Sequence, residues 1–267
     1  MPPTDALRTW APTLRCPHCA GATHLDGNAL VCGRRHSFDI ARQGYVNLMT
    51  RAAPANADTA AMLRARADFL NAGHYLPIAD AIAAVASDAE RILETGAGTG
   101  YYLAQAVGHH AWGLAADVSP AAAKLAARTH PRVASIVADT WAGLPVADGA
   151  FDALLCIFAP RNPAEFTRVL GPGGRLVIVV PTARHLAELR DEYGLLGVPN
   201  DKSAAVTQAF DGWDARIDRV ETELALAAHE VAQLIAMGPN AFHGVPEKTS
   251  SARTHLSVDV ITLIRRS

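Results

Sequence analysis

A chain of 267 residues, half of them apolar, is long enough for one large domain with a small appendage and can bury a sizeable core. Its formal net charge of −2 supplies no global positive field of the kind that marks a general nucleic-acid binder. No apolar run is long and charge-free enough to span a bilayer, and the first residues lack a signal-peptide layout, so a cytoplasmic protein with no membrane partner is expected.

The charge is unevenly spread. Residues 1–75 carry eight Lys/Arg against five Asp/Glu, and the remainder carries sixteen against twenty-one. Three of the four cysteines fall within residues 16–32. Cys16-Pro17-His18-Cys19 is a C-x2-C pair, and Cys32-Gly33-Arg34-Arg35-His36 is a C-x3-H pair. Together they offer three thiolates and an imidazole, the soft donors that tetrahedral Zn²⁺ prefers. Residues 22–25 and 29–31 read as short strands around Asp26-Gly27-Asn28, a hairpin that brings both pairs to one end as a zinc ribbon. A disulfide plus an unrelated histidine is the competing reading, disfavoured in a cytosolic chain. His18 and His24 are substitute ligands by proximity, although His18 lies inside the knuckle. A closed four-ligand site is structural rather than catalytic.

After His36 the chain mixes Phe38, Ile40, Tyr45, Val46 and Leu48 with Arg34, Arg35 and Arg42. The segment reads either as a strand sealing the ribbon or as an aromatic-and-arginine surface for RNA. Residues 50–58 form a polar linker. Asp58 is expected to cap a helix reaching Asn71, with Met62, Ala65, Phe69 and Leu70 on its apolar face. Gly73-His74-Tyr75 ends it, and residues 76–86 form a second helix. The expected division is a ribbon over 1–50, a linker with helices over 51–90 and a catalytic domain over 91–267. It implies that a fragment beginning near residue 57 keeps the cofactor site.

Residues 91–100 organise the rest. Arg91, Ile92 and Leu93 end a buried strand, and Gly96, Gly98 and Gly100 form a tight turn opening a helix at Tyr101. Such a turn lets backbone N–H groups approach a ligand closely. Dinucleotide sites use G-x-G-x-x-G, whereas the spacing here is G-x-G-x-G. Glu94 places a carboxylate at the loop's mouth, which repels a pyrophosphate and welcomes a cationic ligand with an amino group. Strand and helix then alternate, implying a mainly parallel sheet of an α/β fold. Strands are expected at 112–118, 135–138, 153–158 and 175–180, with late strands at 216–226 and 256–264 and a helix over 230–237. Glu94, Asp117, Asp139 and Phe158-Ala159-Pro160 then fall at the carboxyl ends of strands, where such sheets bind ligands. Asp117 suits a ribose diol and Asp139 an adenine amino group. For each acid alone, a helix cap is an equally good reading.

The Glu94–Gly100 spacing resembles the cofactor loop of class I S-adenosylmethionine methyltransferases. More of the chain extends the likeness: Cys16-Pro-His-Cys, Cys32-Gly-Arg-Arg-His-Ser-Phe-Asp, Ala41-Arg-Gln-Gly-Tyr-Val-Asn-Leu and Phe69-Leu-Asn-Ala-Gly-His-Tyr precede the loop. Phe158-Ala-Pro-Arg-Asn-Pro and Arg184-His-Leu-Ala-Glu-Leu follow it. The whole resembles the large-subunit ribosomal RNA guanine-N1-methyltransferases of the RlmA type that modify hairpin 35. It is most similar to the actinobacterial branch that confers resistance to tylosin and mycinamicin macrolides. The resemblance implies a Rossmann-like seven-stranded sheet, S-adenosylmethionine as cofactor and a structural Zn²⁺ on Cys16, Cys19, Cys32 and His36. It implies ribosomal RNA as partner and leaves a homodimer open. It also places Tyr75, Gly98, Thr99 and His185 around the cofactor, joining Glu94, Gly96, Gly100, Asp117 and Asp139. Glu94 stands where the family more usually has aspartate.

On this reading, guanine N1 attacks a sulfonium methyl, and catalysis is mostly positioning. The N1 proton must leave, with Asp139, Glu165 or solvent as acceptor. Phe158 and Trp141 are candidates to stack on the base, with Arg161 or Asn162 reading its edge. Arg34, Arg35 and Arg42 are candidates for phosphate contact. A small-molecule methyltransferase and a non-catalytic RNA-binding protein are the rival readings; the first has no use for a ribbon, and an intact cofactor loop argues against the second.

Overall fold

The computed structural model describes residues 5–199, 201–244 and 246–265. Its centre is an eight-stranded sheet flanked by helices on both faces. The strands, in chain order, are β4 (Val46–Asn47), β5 (Arg91–Thr95), β6 (Trp112–Asp117), β7 (Val133–Val137), β8 (Phe151–Ile157), β9 (Leu170–Pro181), β10 (Trp213–Leu226) and β11 (Ala252–Arg265). The spatial order is β10-β11-β9-β8-β5-β6-β7-β4. β4 to β9 run parallel to one another, and β11 is antiparallel to both β9 and β10. The inner strands are near-continuous apolar runs because both faces are covered. Two clusters result: Phe69, Ile78, Leu103 and Val231 on one face, Trp10, Leu14, Phe166 and Phe210 on the other.

The seven expected strands are present. The eighth, β4, comes from the exit of the ribbon. The ribbon itself is a three-stranded antiparallel sheet of β1 (Thr23–Asp26), β2 (Ala29–Cys32) and β3 (Ser37–Asp39). Asp26 pairs with Ala29, so Gly27 (φ +56°) and Asn28 form a two-residue turn. Past β3 the chain doubles back, Ala41 N–H donating to the Tyr45 carbonyl at 2.9 Å. Val46 and Asn47 then pair with Ile136 and Val137 of β7. The segment after His36 therefore seals the ribbon and then becomes the outer strand of the large sheet.

The chain also enters the large core before making the ribbon. Helix α1 (Asp5–Trp10) buries Ala6, Leu7 and Trp10. Trp10 Nε1–H donates to the Gly113 carbonyl at 2.8 Å, and its ring stacks on Phe151 at 5.1 Å. The expected 1–50 module thus contributes core at both its ends, and a fragment starting near residue 57 would lack Leu7, Trp10, Leu14 and β4.

The helices follow the apolar spacing. They are α2 (Ala60–Asn71), α3 (Leu76–Val85), α4 (Tyr101–Val107), α5 (Pro120–Ala126), α6 (Pro163–Val169), α7 (Ala187–Tyr193), α8 (Lys202–Ala209) and α9 (Ala228–Ala236), with a 3₁₀ turn over Pro239–His243. α2 is capped by Thr59, whose hydroxyl accepts the Met62 N–H at 3.3 Å, and not by Asp58 as expected. The Asp58 carboxylate is drawn instead to Arg66, one turn further along the helix. Among the described residues no helix is long and apolar enough to cross a membrane.

Candidate cofactor site and zinc centre

At one end of the ribbon, the ligand atoms of Cys16, Cys19, Cys32 and His36 all lie within 4.8 Å of one another. Cys16 Sγ is 3.4 Å from His36 Nδ1, and Cys19 Sγ is 3.7 Å from Cys32 Sγ. None of the four cysteines forms a disulfide. Three thiols and an imidazole converging this tightly fit a tetrahedral Zn²⁺. The His18 ring stacks on Phe38 at 5.8 Å, so it is occupied elsewhere, and His24 is exposed on β1. Arg34 and Arg35 are exposed at this end, Arg42 is exposed beyond the opposite end of β3, and none of the three has an ion pair among the described residues.

The cofactor loop follows β5, between β6 and β8, where the strand order reverses. Gly96 (φ +63°) and Gly98 (φ +54°) are both left-handed. A Cβ on Gly96 would lie 2.6 Å from Ala159 Cβ, and one on Gly98 would lie 2.8 Å from an Arg66 guanidinium nitrogen. Gly96 is required by the Ala159 turn that crosses the loop, and Gly98 by its left-handed φ, since the Arg66 tip could move aside. Gly100 serves a different end: its Cβ would meet Thr129 and Ala126, so its bareness lets α4 and α5 approach. Thr99 lies half-buried between them.

The acids are deeper than expected. Glu94 is 1% exposed, beneath the mouth rather than at it, and accepts the Leu103 N–H at 3.2 Å. It thereby caps α4 through one oxygen, and the other has no partner among the described residues. Burial first, then the charge of Asp117, pushes its carboxyl well above the ordinary 4.5, with the Leu103 bond opposing. Asp117 accepts from Gly98 N–H and Ser119 N–H, each at 2.8 Å, and burial raises its pKa as well. It shapes the loop directly, holding Gly98 in its turn. Asp139 accepts the Trp141 N–H at 2.8 Å and pairs loosely with Arg51 at 3.4 Å.

Across the loop, Phe158 holds φ +54°, a conformation costly for a bulky side chain, and its ring is 42% exposed. It stacks against His185 with centroids 6.0 Å apart and lies 6.3 Å from Tyr75. His185 Nδ1 accepts the Ser257 N–H at 3.2 Å. A neutral ring then carries its proton on Nε2, which faces the Tyr75 hydroxyl at 3.4 Å. Burial, helped by Arg190 and Lys202, lowers its pKa to about 4. His185 is thus a neutral donor.

Two candidates turn out to hold the scaffold. Asn162 caps α6, accepting the Glu165 N–H at 3.4 Å, and its amide donates to the Thr140 carbonyl at 2.9 Å. Glu165 accepts from Leu144 N–H and pairs with Arg168 at 2.8 Å. Burial opposes, but Arg168 and the Leu144 N–H prevail and lower its pKa. It is therefore a poor base. Arg161 has no hydrogen bond or ion pair among the described residues, and Trp141 is 64% exposed.

A family model described as "RlmA, N-terminal" matches residues 14–53, and one described as "Methyltransferase domain" matches residues 92–174. The chain is 41% identical to the 23S rRNA (guanine(748)-N(1))-methyltransferase of Streptomyces fradiae over 88% of each chain. It is 43% identical to a putative 23S rRNA (guanine-N(1)-)-methyltransferase of Micromonospora griseorubida over 93% of each. The chain belongs to the 23S rRNA guanine-N1-methyltransferase family. A Bacillus subtilis relative, also named a putative 23S rRNA (guanine-N(1)-)-methyltransferase, is 36% identical over 92% of this chain.

This methyltransferase uses S-adenosylmethionine, and its ribbon is a structural zinc site. The site fits that cofactor in its own geometry: two bare left-handed glycines form a cradle, and buried carboxyls underlie it for a ligand with cationic centres. Sequence reasoning missed two contributors. Arg66 reaches over Gly98 from α2, lying four residues from both Met62 and Leu70 and hence on the buried stripe, a signal that spacing could have revealed. Helix α1 is too short for its periodicity to show.

Proposed function

We propose that this enzyme methylates N1 of a guanine in hairpin 35 of 23S rRNA and thereby confers resistance to tylosin- and mycinamicin-type macrolides. The family supports the RNA and the atom; the likeness to the actinobacterial branch supports the hairpin and the drugs. The observation that carries the reading is Phe158: a half-exposed ring held at a strained φ, on a turn packed directly against Gly96.

The bound cofactor supplies an electrophilic methyl on a sulfonium. Phe158 offers a stacking face for an unpaired purine beside the cofactor loop. His185 donates a hydrogen bond through Nε2 and cannot take the N1 proton while Ser257 occupies Nδ1. Glu165 is engaged by Arg168. Asp139 and solvent are left as acceptors for the N1 proton, and the enzyme contributes chiefly orientation. Exposed Arg34, Arg35 and Arg42 hold RNA phosphates through the ribbon, while Arg161 is free to meet the target nucleotide.

The deciding experiment is methyl transfer to 23S rRNA lacking the modification, followed by mass mapping of the product. 1-Methylguanine in hairpin 35, together with a macrolide-resistant host, is the expected outcome. A methyl on another base, on ribose or on a macrolide sugar would overturn the reading.

A further inference from the structure

The cofactor site is crowded with acids, and one cation is set among them. Glu94 and Asp117 are buried under the glycine turn, and Asp58 lies close enough for its charge to act on Asp117. Over the same turn lies the guanidinium of Arg66, one nitrogen 2.8 Å from where a side chain on Gly98 would begin. We propose that Arg66 grips the α-carboxylate of the amino-acid moiety of S-adenosylmethionine, with Asp58 aiming the guanidinium.

Three features lead there. The first is place. A guanidinium nitrogen 2.8 Å from where the Gly98 Cβ would fall borders the space that the glycine leaves open. The second is anchoring. Arg66 donates to Asp58 Oδ2 at 2.6 Å and to the Met237 carbonyl at 2.5 Å, and the Asp58 carbonyl accepts the Ser119 hydroxyl at 2.7 Å. The guanidinium is thereby held by Asp58, ahead of α2, and by Met237, which ends α9, and Ser119 of the β6–α5 loop steadies the Asp58 backbone. A side chain held through both terminal nitrogens loses little freedom on binding.

The third feature is capacity and charge. Of five guanidinium N–H groups, two are taken, and the remaining three have no partner among the described residues. The ligand carries two cationic centres, sulfonium and ammonium, which the acids suit. Its one anion is the carboxylate, which these acids repel and a planar fork of N–H donors matches. Arg66 lets one site hold a ligand of both signs. The inference rests on the cofactor alone and not on the RNA target, so either can fail without the other.

Calorimetric titration of the zinc-loaded, full-length protein with S-adenosylmethionine and with its decarboxylated analogue tests the proposal without RNA. Wild type should bind the carboxylate-bearing form roughly ten- to a hundredfold more tightly, the range of a charge-assisted pair. Arg66→Met should lose that discrimination, weakening only the carboxylate-bearing form. Equal weakening of both ligands would assign Arg66 to the fold and overturn the proposal, as would a wild type that does not distinguish them. If Arg66→Met does not melt cooperatively, Arg66→Lys decides: a reduced preference supports the fork, and an unchanged one overturns it.

Discussion

Phe158 lies against His185 with the two rings 22° from parallel, so the exposed aromatic face beside the cofactor loop is backed by a buried, neutral imidazole. The pairing joins the end of β8 to the segment after β9. It gives Phe158 a fixed orientation although nearly half its surface meets solvent.

Removing that ring should harm RNA methylation far more than cofactor binding. Base stacking on an aromatic contributes about 1–3 kcal/mol, so Phe158→Ala should lower kcat/KM for RNA by roughly ten- to a hundredfold. The backbone adds a second readout. Glycine tolerates φ +54° without the penalty that a Cβ incurs, about 1–2 kcal/mol. Phe158→Gly should therefore melt higher than Phe158→Ala while being equally inactive. The reverse order of melting temperatures would remove the strain argument.

His185 makes the fold sensitive to acid. Its pKa is depressed to about 4 in the native state, against 6.5 in the unfolded chain. Between those values the unfolded state binds more protons, so stability is lost as pH falls from about 6.5 toward 4, by roughly 3 kcal/mol in all. His185→Gln should flatten that stretch of the stability profile, read by urea unfolding at stepped pH. An unchanged profile would place the acid sensitivity elsewhere.

Glu94 and Asp117 act in the opposite sense. Both pKa values are raised by burial, so the free protein keeps these protons to higher pH than the unfolded chain does. Their contribution to stability is greatest in acid and declines as pH climbs above the ordinary carboxylate range. A cationic ligand favours the ionised carboxyls, so cofactor binding should release protons and tighten with rising pH. Calorimetry in buffers of different ionisation enthalpy counts those protons, and identical heats would contradict the assignment. Asp117→Ala also frees the Gly98 and Ser119 N–H groups and should weaken binding by about 1.5–3 kcal/mol.

One zinc per chain should copurify. Cys16→Ser should release it and reduce RNA methylation more than cofactor affinity, because the four ligands belong to the ribbon and none to the glycine loop. Folded, active protein without metal by elemental analysis would defeat this expectation.

Reversing Arg34, Arg35 and Arg42 to glutamate should weaken RNA binding and lessen its salt dependence, leaving cofactor binding intact. Substitution is the better test than truncation. A fragment from residue 57 would strip Trp10 off Phe151 and Gly113, leaving a void in the sheet's core that destabilises by about 3–5 kcal/mol from the indole alone. An unaltered salt slope in the triple variant would move RNA recognition off the ribbon.

What the sequence revealed was what is local. Cysteine spacing announced the zinc cluster, and the G-x-G-x-G turn after an apolar strand announced the cofactor loop, because both are set by residues a few positions apart. Asn162 shows the limit from the other side. Asn-Pro ahead of Ala164 and Glu165 is a helix-start signature, and its place near the site drew attention away from that plain role. Glu94 looked like a surface charge because burial depends on Leu103 and the strands around it. The joining of Val46 and Asn47 to β7 was invisible, since two residues carry no periodicity and their partners lie ninety positions away.

That short strand settles how far apart two events occur. The ribbon is not tethered by a flexible leash: Arg15 N–H bonds the Pro145 carbonyl at one end, and Val46 and Asn47 are laced to β7 at the other. Two residues past β7 the chain reaches Asp139, which lines one groove together with the Cys16–Cys19 knuckle. For an RNA held by the ribbon, the span from metal cluster to methyl donor would therefore be a fixed gauge. On the proposed function, such an RNA would present to Phe158 only the nucleotide lying one set interval away, and target choice would become a measurement of length. An insertion between Ala41 and Gly44 would recalibrate that gauge, and the methylated position should move, or be lost, with it.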